Sequence, residues 1–536
     1  MSSFDFKHGT TNAKSSGALE AIDVADPFGY MFPDLARDPQ ALLPVSDGTI
    51  DALTALSEAL IENTDSPDRN SKIPPVYTYW GQFIDHDITA TNSELNEDIL
   101  DETFSPQDPD KVVAKVTNRR RAILDLDSVY GDGPNGEAAH FYDGPRLKVG
   151  ITTDTGVGSV PNPHLGNNRD LPRDANGKAI IGDSRNDENT IIAQFHTAFL
   201  KFHNSVANRL ESTGSQPENL FEHAREITRC TYQWLVVNDY LKTITLPGTV
   251  DKMLYCGKKY YDPPADNVFM PFEFSVAAFR FGHSMVRTDY DFNENFGLEA
   301  GLIPSAPFDF LFQFTGGGGL GGSPTLPNNW IIDWQRFIDK GSSHTDRFAR
   351  KVDTRLAKFL AELVNDEKKL EEERTAMGMP ISELQRKIVV HLARRNLLRG
   401  YLMSIPTGQM VADKMGVPKL RPDQILQDNP AGVNDALRAG GFETKTPLWY
   451  YILKEAEIQA NGESLGEVGS RIVASTIIGL LQKDPLSYLN LKWNPSLGVA
   501  MENNEPITTI GDFLNFAGVL HQSPSQVPDK PEPVYA

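Results

Sequence analysis

Residues 80–89, Trp-Gly-Gln-Phe-Ile-Asp-His-Asp-Ile-Thr, set four polar side chains (Gln82, Asp85, His86, Asp87) into a stretch that otherwise reads as a buried apolar helix. On a helix, Gln82 and His86 are four residues apart and share a face. An imidazole and an amide side by side suit work on a small polar molecule. Asp85 and Asp87 flank the histidine and point elsewhere, which suits a metal or a covalent anchor. A lone histidine would read as a satisfied core residue beside a capping aspartate. Burying this many polar groups is costly unless they are used, so the cluster reads as a site.

Four further segments carry chemistry. In Ile123–Gly131, Asp125 and Asp127 stand at spacing two with backbone carbonyls between them, an arrangement that suits a hard, oxygen-seeking cation such as calcium and that also occurs in ordinary turns. Gly182–Asn189 leads into a helix bearing His196 and His203; Asp187 and Glu188 favour a positive helix start, whereas Arg185 there needs another reason. Ala278–Val286 places His283 in an apolar helix, one turn after Arg280. Arg394–Gly400 places Asn396 on a cationic, apolar helix.

The elements that must position these groups are mostly helical. Apolar period marks residues 50–62, about 190–210, 217–242, 347–375, 382–404 and 468–482. Residues 131–180 are dense in Gly, Pro, Asn and Asp and read as a long irregular segment. Strand signals are few and short, so the fold class is mainly α, without βαβ alternation. The glycine run 315–322 lacks the Lys-Ser/Thr of a phosphate cradle and reads as a flexible or close-packed loop. Arg119-Arg120-Arg121 reads as a solvated face. There is no His-Glu-x-x-His zinc helix and no Gly-x-Ser-x-Gly elbow.

Composition narrows the partners. The chain has 536 residues and a formal charge of −21, which repels nucleic acid and anionic membrane. No run of 18 apolar residues predicts a membrane span. The N-terminal residues lack the basic-then-apolar layout of a Sec signal peptide, which is compatible with a cytoplasmic protein or with export by a signal-independent route. Cys230 and Cys256 sit in apolar contexts and are expected as free, buried thiols.

Gln-Phe-Ile-Asp-His-Asp, Leu-Asp-x-Asp-Ser-Val-Tyr-Gly, Gly-Asp-x-Arg-x-x-Glu, Phe-Arg-x-Gly-His and Asn-x-x-Arg-Gly occur in that order between residues 82 and 400. The set resembles the signature of the animal-type haem peroxidases, the peroxidase–cyclooxygenase superfamily, and is most similar to its bacterial members. The resemblance implies one large helical catalytic domain around haem b, over residues 71–522. An N-terminal arm, 1–70, would pack on it, and 523–536 would form an extended tail.

By the same resemblance, His86 is the distal histidine, Arg185 the distal arginine and Gln82 the distal amide. His283 is the proximal iron ligand, Asn396 its hydrogen-bond partner, and Arg280 meets a haem propionate. Asp85 and Glu188 match carboxylates that form ester links to haem in relatives. Asp87, Asp125 and Asp127 match calcium ligands, with backbone carbonyls near Arg121 and Ile123. Arg121 stands where a threonine hydroxyl is expected, so it either swings outward or pairs with Asp125 or Asp127. Asn189 stands where one mammalian relative has a sulfonium-forming methionine. The resemblance places no iron ligand at His196 or His203, which are expected to make structural hydrogen bonds.

The activity implied is reduction of hydrogen peroxide with oxidation of a halide or small organic donor. Two other readings stand beside it. A haem-dependent fatty-acid dioxygenase is disfavoured because the Tyr-x-Trp-His pattern of that branch is missing before His283. A non-catalytic adhesion or scaffold protein is disfavoured because no Arg-Gly-Asp or Lys-Gly-Asp tripeptide occurs and every site group is kept.

Overall fold

Asn189 starts the longest described helix, Thr190–Ser212, by accepting the backbone N–H of Ile192 on its side chain. The apolar stripe foreseen from Ile191 to Leu210 is buried along its whole length. The computed structural model describes residues 27–62, 65–90, 105–154, 166–214, 217–255, 260–264, 266–298, 303–339, 341, 343–363, 386 and 388–520.

Helix Val76–Ile88 carries Gln82 and His86. It ends at Thr89, whose hydroxyl donates back to the Asp85 carbonyl (2.9 Å) and contacts the Asp85 carboxylate (2.8 Å). Phe83 fixes this helix on its neighbour: its ring stacks on Phe199, with centroids 4.4 Å apart, and meets Phe195 edge-on. Such aromatic pairs add about 0.5–1.5 kcal/mol beyond the area they bury. Gly81 is required by close approach, since a Cβ there would lie 2.4 Å from the Tyr240 hydroxyl. Tyr240 comes from the next long element, helix Pro217–Leu235, which continues through a π-turn at Val236–Tyr240 into Leu241–Ile244.

His283 lies on a tighter element than expected. A π-turn, Glu273–Ala277, runs into a 3₁₀ helix, Ala278–Met285. With three residues per turn, Arg280 and His283 eclipse one another on one side. Helix Leu392–Leu402 carries Asn396, and the buried helix Glu467–Lys483 matches expectation.

The first described residues are woven into this body. Phe28–Gly29 pairs in parallel with Met270–Pro271, and Glu273 accepts the backbone N–H groups of Met31 (2.8 Å) and Phe32 (3.0 Å). One continuous set of buried apolar side chains runs from Phe28 to Val519. Each described strand is two residues long. Among the described residues no helix is long and apolar enough to cross a membrane.

Two sequence expectations are corrected. Residues 347–363 form no α-helix: a strand at Leu356–Ala357 and 3₁₀ turns at Thr345–Arg347 and Lys358–Ala361 take their place, and 364–385 lie outside the described residues. Pairing of Leu356–Ala357 with Ile61–Glu62 overrides the local helical period there. The basic triplet at 119–121 is not a wholly solvated face, because Arg120 is buried. Cys230 is buried and free as expected, and Cys256 and the tail 523–536 lie outside the described residues. The glycine run is a close-packed loop, in which Gly316 donates its N–H to Asp187 (2.9 Å).

Candidate active site

Helix Val76–Ile88 and the 3₁₀ turn Ser184–Asp187 meet at His86. Arg185 enters fully buried and forms a fork with Asp183, through Nη2 at 2.7 Å and Nε at 3.1 Å to both oxygens. Its Nη2 also donates to the backbone oxygen of His86 at 2.9 Å. The guanidinium is thus pinned against the turn of helix that bears the imidazole. His86 Nδ1 contacts Asn186 Oδ1 at 2.8 Å. Two buried polar atoms remain here without a hydrogen-bond partner, His86 Nε2 and Arg185 Nη1. A buried polar group without a partner calls for an explanation, such as a catalytic role or a site for a water, ion or ligand.

Burial, and then the charge of Arg185, push the His86 imidazole down to about 4, so it is neutral at neutral pH, with one ring nitrogen carrying a lone pair. Burial pushes the Asp183 carboxyl up, but the guanidinium groups of Arg120 and Arg185 outweigh it and hold it well below the usual range. Gln82 is more loosely held: it donates to Glu188 at 3.4 Å and accepts from Asn189 at 3.3 Å.

On the other side, Asn396 Nδ2 lies 2.9 Å from His283 Nδ1. The two ends of an amide have the same shape, so the amide can equally present its oxygen to a ring N–H. Either way the Asn396 amide engages Nδ1 of the ring. Burial, then the charges of Arg280, Arg395 and Arg399, hold this imidazole far below its usual range, so it is neutral as a ligand must be.

Asp85 and Arg280 join the two sides. Arg280 Nη1 and Asp85 Oδ2 form a buried ion pair at 3.0 Å, and Arg280 Nε donates to the Ser275 carbonyl at 2.7 Å. Sequence reasoning left Asp85 and Glu188 without partners; the structure pairs Asp85 with Arg280 and Thr89, and Glu188 with Gln82. An ester through Asp85 would require it to leave Arg280.

Arg399, three residues after Asn396, was not assigned a role from sequence. Burial, then the positive charges of Arg280 and Arg395, pull it down to about 9. A guanidinium keeps its proton at neutral pH. The shift therefore registers first a buried cation and then its cationic neighbours, and an anionic ligand would relieve both. Orphaned buried atoms beside His86, a neutral imidazole and this cationic cluster are what an anionic iron porphyrin would satisfy, so the residues fit haem.

Beneath His86, Asp87, Asp125 and Asp127 bring one carboxylate oxygen each within 4.8 Å of one another. Both Asp87 oxygens are buried and without a hydrogen-bond partner. Arg121 does pair with Asp125 (3.2 Å), from an outward position with its side chain 54% exposed. The basic triplet is not all solvated: Arg120 is buried between Asp127 (3.0 Å) and Asp183 (2.5 Å), and it links this cluster to the arginine beside His86. Three like charges in sequence cannot show that the middle one finds two buried carboxylates from another part of the chain. His203 is satisfied on both ring nitrogens, by Tyr130 (3.0 Å) and Pro145 O (2.9 Å). His196 contacts Asn186 at 3.0 Å through Nδ1 only.

The geometry joins a histidine–arginine cluster to a histidine–asparagine pair through the Asp85–Arg280 ion pair, and comparison with known proteins supplies the class. Residues 100–301 match the animal haem peroxidase family model. Residues 100–301 thus carry an animal haem peroxidase family-model domain, and that family implies haem binding. It is similar to human lactoperoxidase (26% identical over 302 residues, 46% of this chain and 40% of that protein). It is also similar to a peroxidasin homologue of Caenorhabditis elegans (25% over 283 residues, 42% and 22%). The chain spans less than half the length of each. In fold it resembles peroxidase A of Dictyostelium discoideum (TM-score 0.58, 16% identity, 94% of this chain and 95% of that one). It also resembles a fatty acid alpha-dioxygenase of Arabidopsis thaliana (TM-score 0.53, 14% identity, 93% and 75%).

Proposed function

We propose that the chain is a haem peroxidase that reduces hydrogen peroxide and oxidises a halide or a small organic donor. The observation that carries this reading is the pair of orphaned buried atoms, His86 Nε2 and Arg185 Nη1, held on adjoining elements. His283, oriented by Asn396, would hold the haem iron, and Arg280 and Arg399 would meet the haem carboxylates. Haem iron, when bound, supplies the electrons that break the O–O bond. His86 Nε2 takes the proton from one peroxide oxygen and returns it to the departing oxygen, so that water leaves. The Arg185 cation stabilises the negative charge that develops on that oxygen. Gln82, one turn from His86, holds a water or a halide. Asp87, Asp125 and Asp127, with carbonyls of Arg121 and Ile123, would hold calcium and so brace the helix that aims His86. Asp85 and Glu188 are the candidate ester links.

Stopped-flow spectra of the haem-loaded protein mixed with hydrogen peroxide test the reading. A rapid shift of the Soret band in the wild type, slowed roughly 10²–10⁴-fold in His86→Ala, is expected. Oxygen uptake with an unsaturated fatty acid would instead indicate a dioxygenase. Wild-type speed in His86→Ala would remove the assignment.

A further inference from the structure

We propose that Asn186 is a positioning residue that holds His86 in the tautomer able to accept a proton at Nε2, and that His196 holds Asn186 in the orientation this requires. The inference rests on the role given to His86 above and adds two residues to it.

Asn186 sits next to Arg185 and is fully buried. Its Oδ1 is 2.8 Å from His86 Nδ1, and its Nδ2 is 3.0 Å from His196 Nδ1. The two rings come from different helices, Val76–Ile88 and Thr190–Ser212. An amide oxygen only accepts and an amide nitrogen only donates. One end of the same amide faces each ring, so the two rings must differ: one carries a hydrogen on Nδ1 and the other a lone pair. With the oxygen toward His86, that ring is Nδ1–H and its orphaned Nε2 presents a lone pair. Turning the amide over would put the hydrogen on His86 Nε2, where the ring can donate but cannot take a proton. The two tautomers are therefore linked through one side chain, and His196 must offer a lone pair at Nδ1 for His86 to be a base.

The arrangement also suits repeated use. When His86 gains a proton at Nε2, the Nδ1–H···Oδ1 bond stays in place and strengthens with the ring's charge. No rearrangement of Asn186 accompanies arrival or loss of the proton. The amide achieves this without adding a charge beside Asp183 and Asp187.

The test uses the haem-loaded protein in its diamagnetic ferrous carbon monoxide complex, with ¹⁵N–¹H NMR reading the histidine tautomers. Wild type should show His86 as Nδ1–H. Asn186→Leu should move His86 to Nε2–H, and His196→Leu should give a mixture. His196→Gln, whose side-chain carbonyl accepts from Asn186 Nδ2, should restore the wild-type tautomer. Asn186→Asp, which accepts from both rings, should keep His86 as Nδ1–H and convert His196 to Nδ1–H. As a second readout, the rate at which hydrogen cyanide binds, which needs a base to take its proton, should fall in proportion to the His86 fraction that has left the Nδ1–H form. An unchanged His86 tautomer in Asn186→Leu and His196→Leu, or a His196→Gln variant that behaves like His196→Leu, overturns the inference. If His86→Ala reacts with peroxide at the wild-type rate, the role of His86 itself fails. If His86→Ala is slow while Asn186→Leu keeps the wild-type tautomer, only this inference fails.

Discussion

Replacing Asp87 by asparagine separates two accounts of the carboxylate cluster by the sign of its effect. Four carboxylates (Asp87, Asp125, Asp127, Asp183) share this region with three guanidinium groups (Arg120, Arg121, Arg185), and the ion pairs engage every carboxylate except Asp87. Burial and the neighbouring Asp127 and Asp125 charges drive the Asp87 carboxyl far upward. With no ion, Asp87 either stays ionised at a cost of several kcal/mol after relaxation or takes up a proton. Asparagine, of nearly the same shape, removes that cost, so the variant is at least as stable as the wild type. With calcium bound, the ion offsets the charge, and at a concentration 100 times its Kd it contributes about 2.7 kcal/mol. The Asp87→Asn substitution then weakens the site and stability falls. Thermal unfolding of both proteins, in calcium and in EDTA, reads the difference. We expect the wild type to lose Tm in EDTA and D87N to show a low Tm that no longer responds to calcium. A wild-type Tm identical in the two buffers, with D87N equally or more stable, refutes the calcium site and leaves Arg120 and Arg121 as the groups that balance the cluster.

Other outcomes follow from the same geometry. His283→Ala should fail to retain haem. Asn396→Ala should retain it with a raised reduction potential, because the proximal ring loses its hydrogen-bond partner, and spectroelectrochemistry would show no shift if the pair is only structural. After repeated turnover with peroxide, acid–butanone should leave part of the haem on the protein; complete extraction would mean that Asp85 stays with Arg280 and Glu188 with Gln82. Burial raises the carboxyl of Glu455 from 4.5 to about 8, although it accepts the N–H groups of Val468 (2.8 Å) and Gly469 (3.2 Å). The folded state therefore holds a proton that the unfolded chain has lost, and this group's contribution to stability declines as pH rises between those values. Glu455→Gln keeps an acceptor for both N–H groups and should flatten that decline; urea midpoints measured from pH 4.5 up to about 8 check it.

Much of the site was legible in local pattern. The four-residue spacing of Gln82 and His86 and the apolar stripe after Asn189 depend on neighbours within a turn or two. Short-range periodicity decides which side of a helix faces inward, so those positions can be read without knowing what they meet. The same reasoning misread the segment from 347, where a strand partner from residues 61–62 outweighed helical period.

The sequence by itself therefore determined that this chain is mainly helical and that an imidazole, an amide and several carboxylates are spent on a buried site. Tertiary structure decided which partners those groups meet. Arg120 became a buried link between Asp127 and Asp183, Arg280 took Asp85 across 195 residues, and Asn186 came to lie between His86 and His196. The physical reason is desolvation. Once these side chains leave water, each must find a charge or hydrogen-bond partner wherever the packing brings one, and the spacing along the chain carries no record of which distant residue that is.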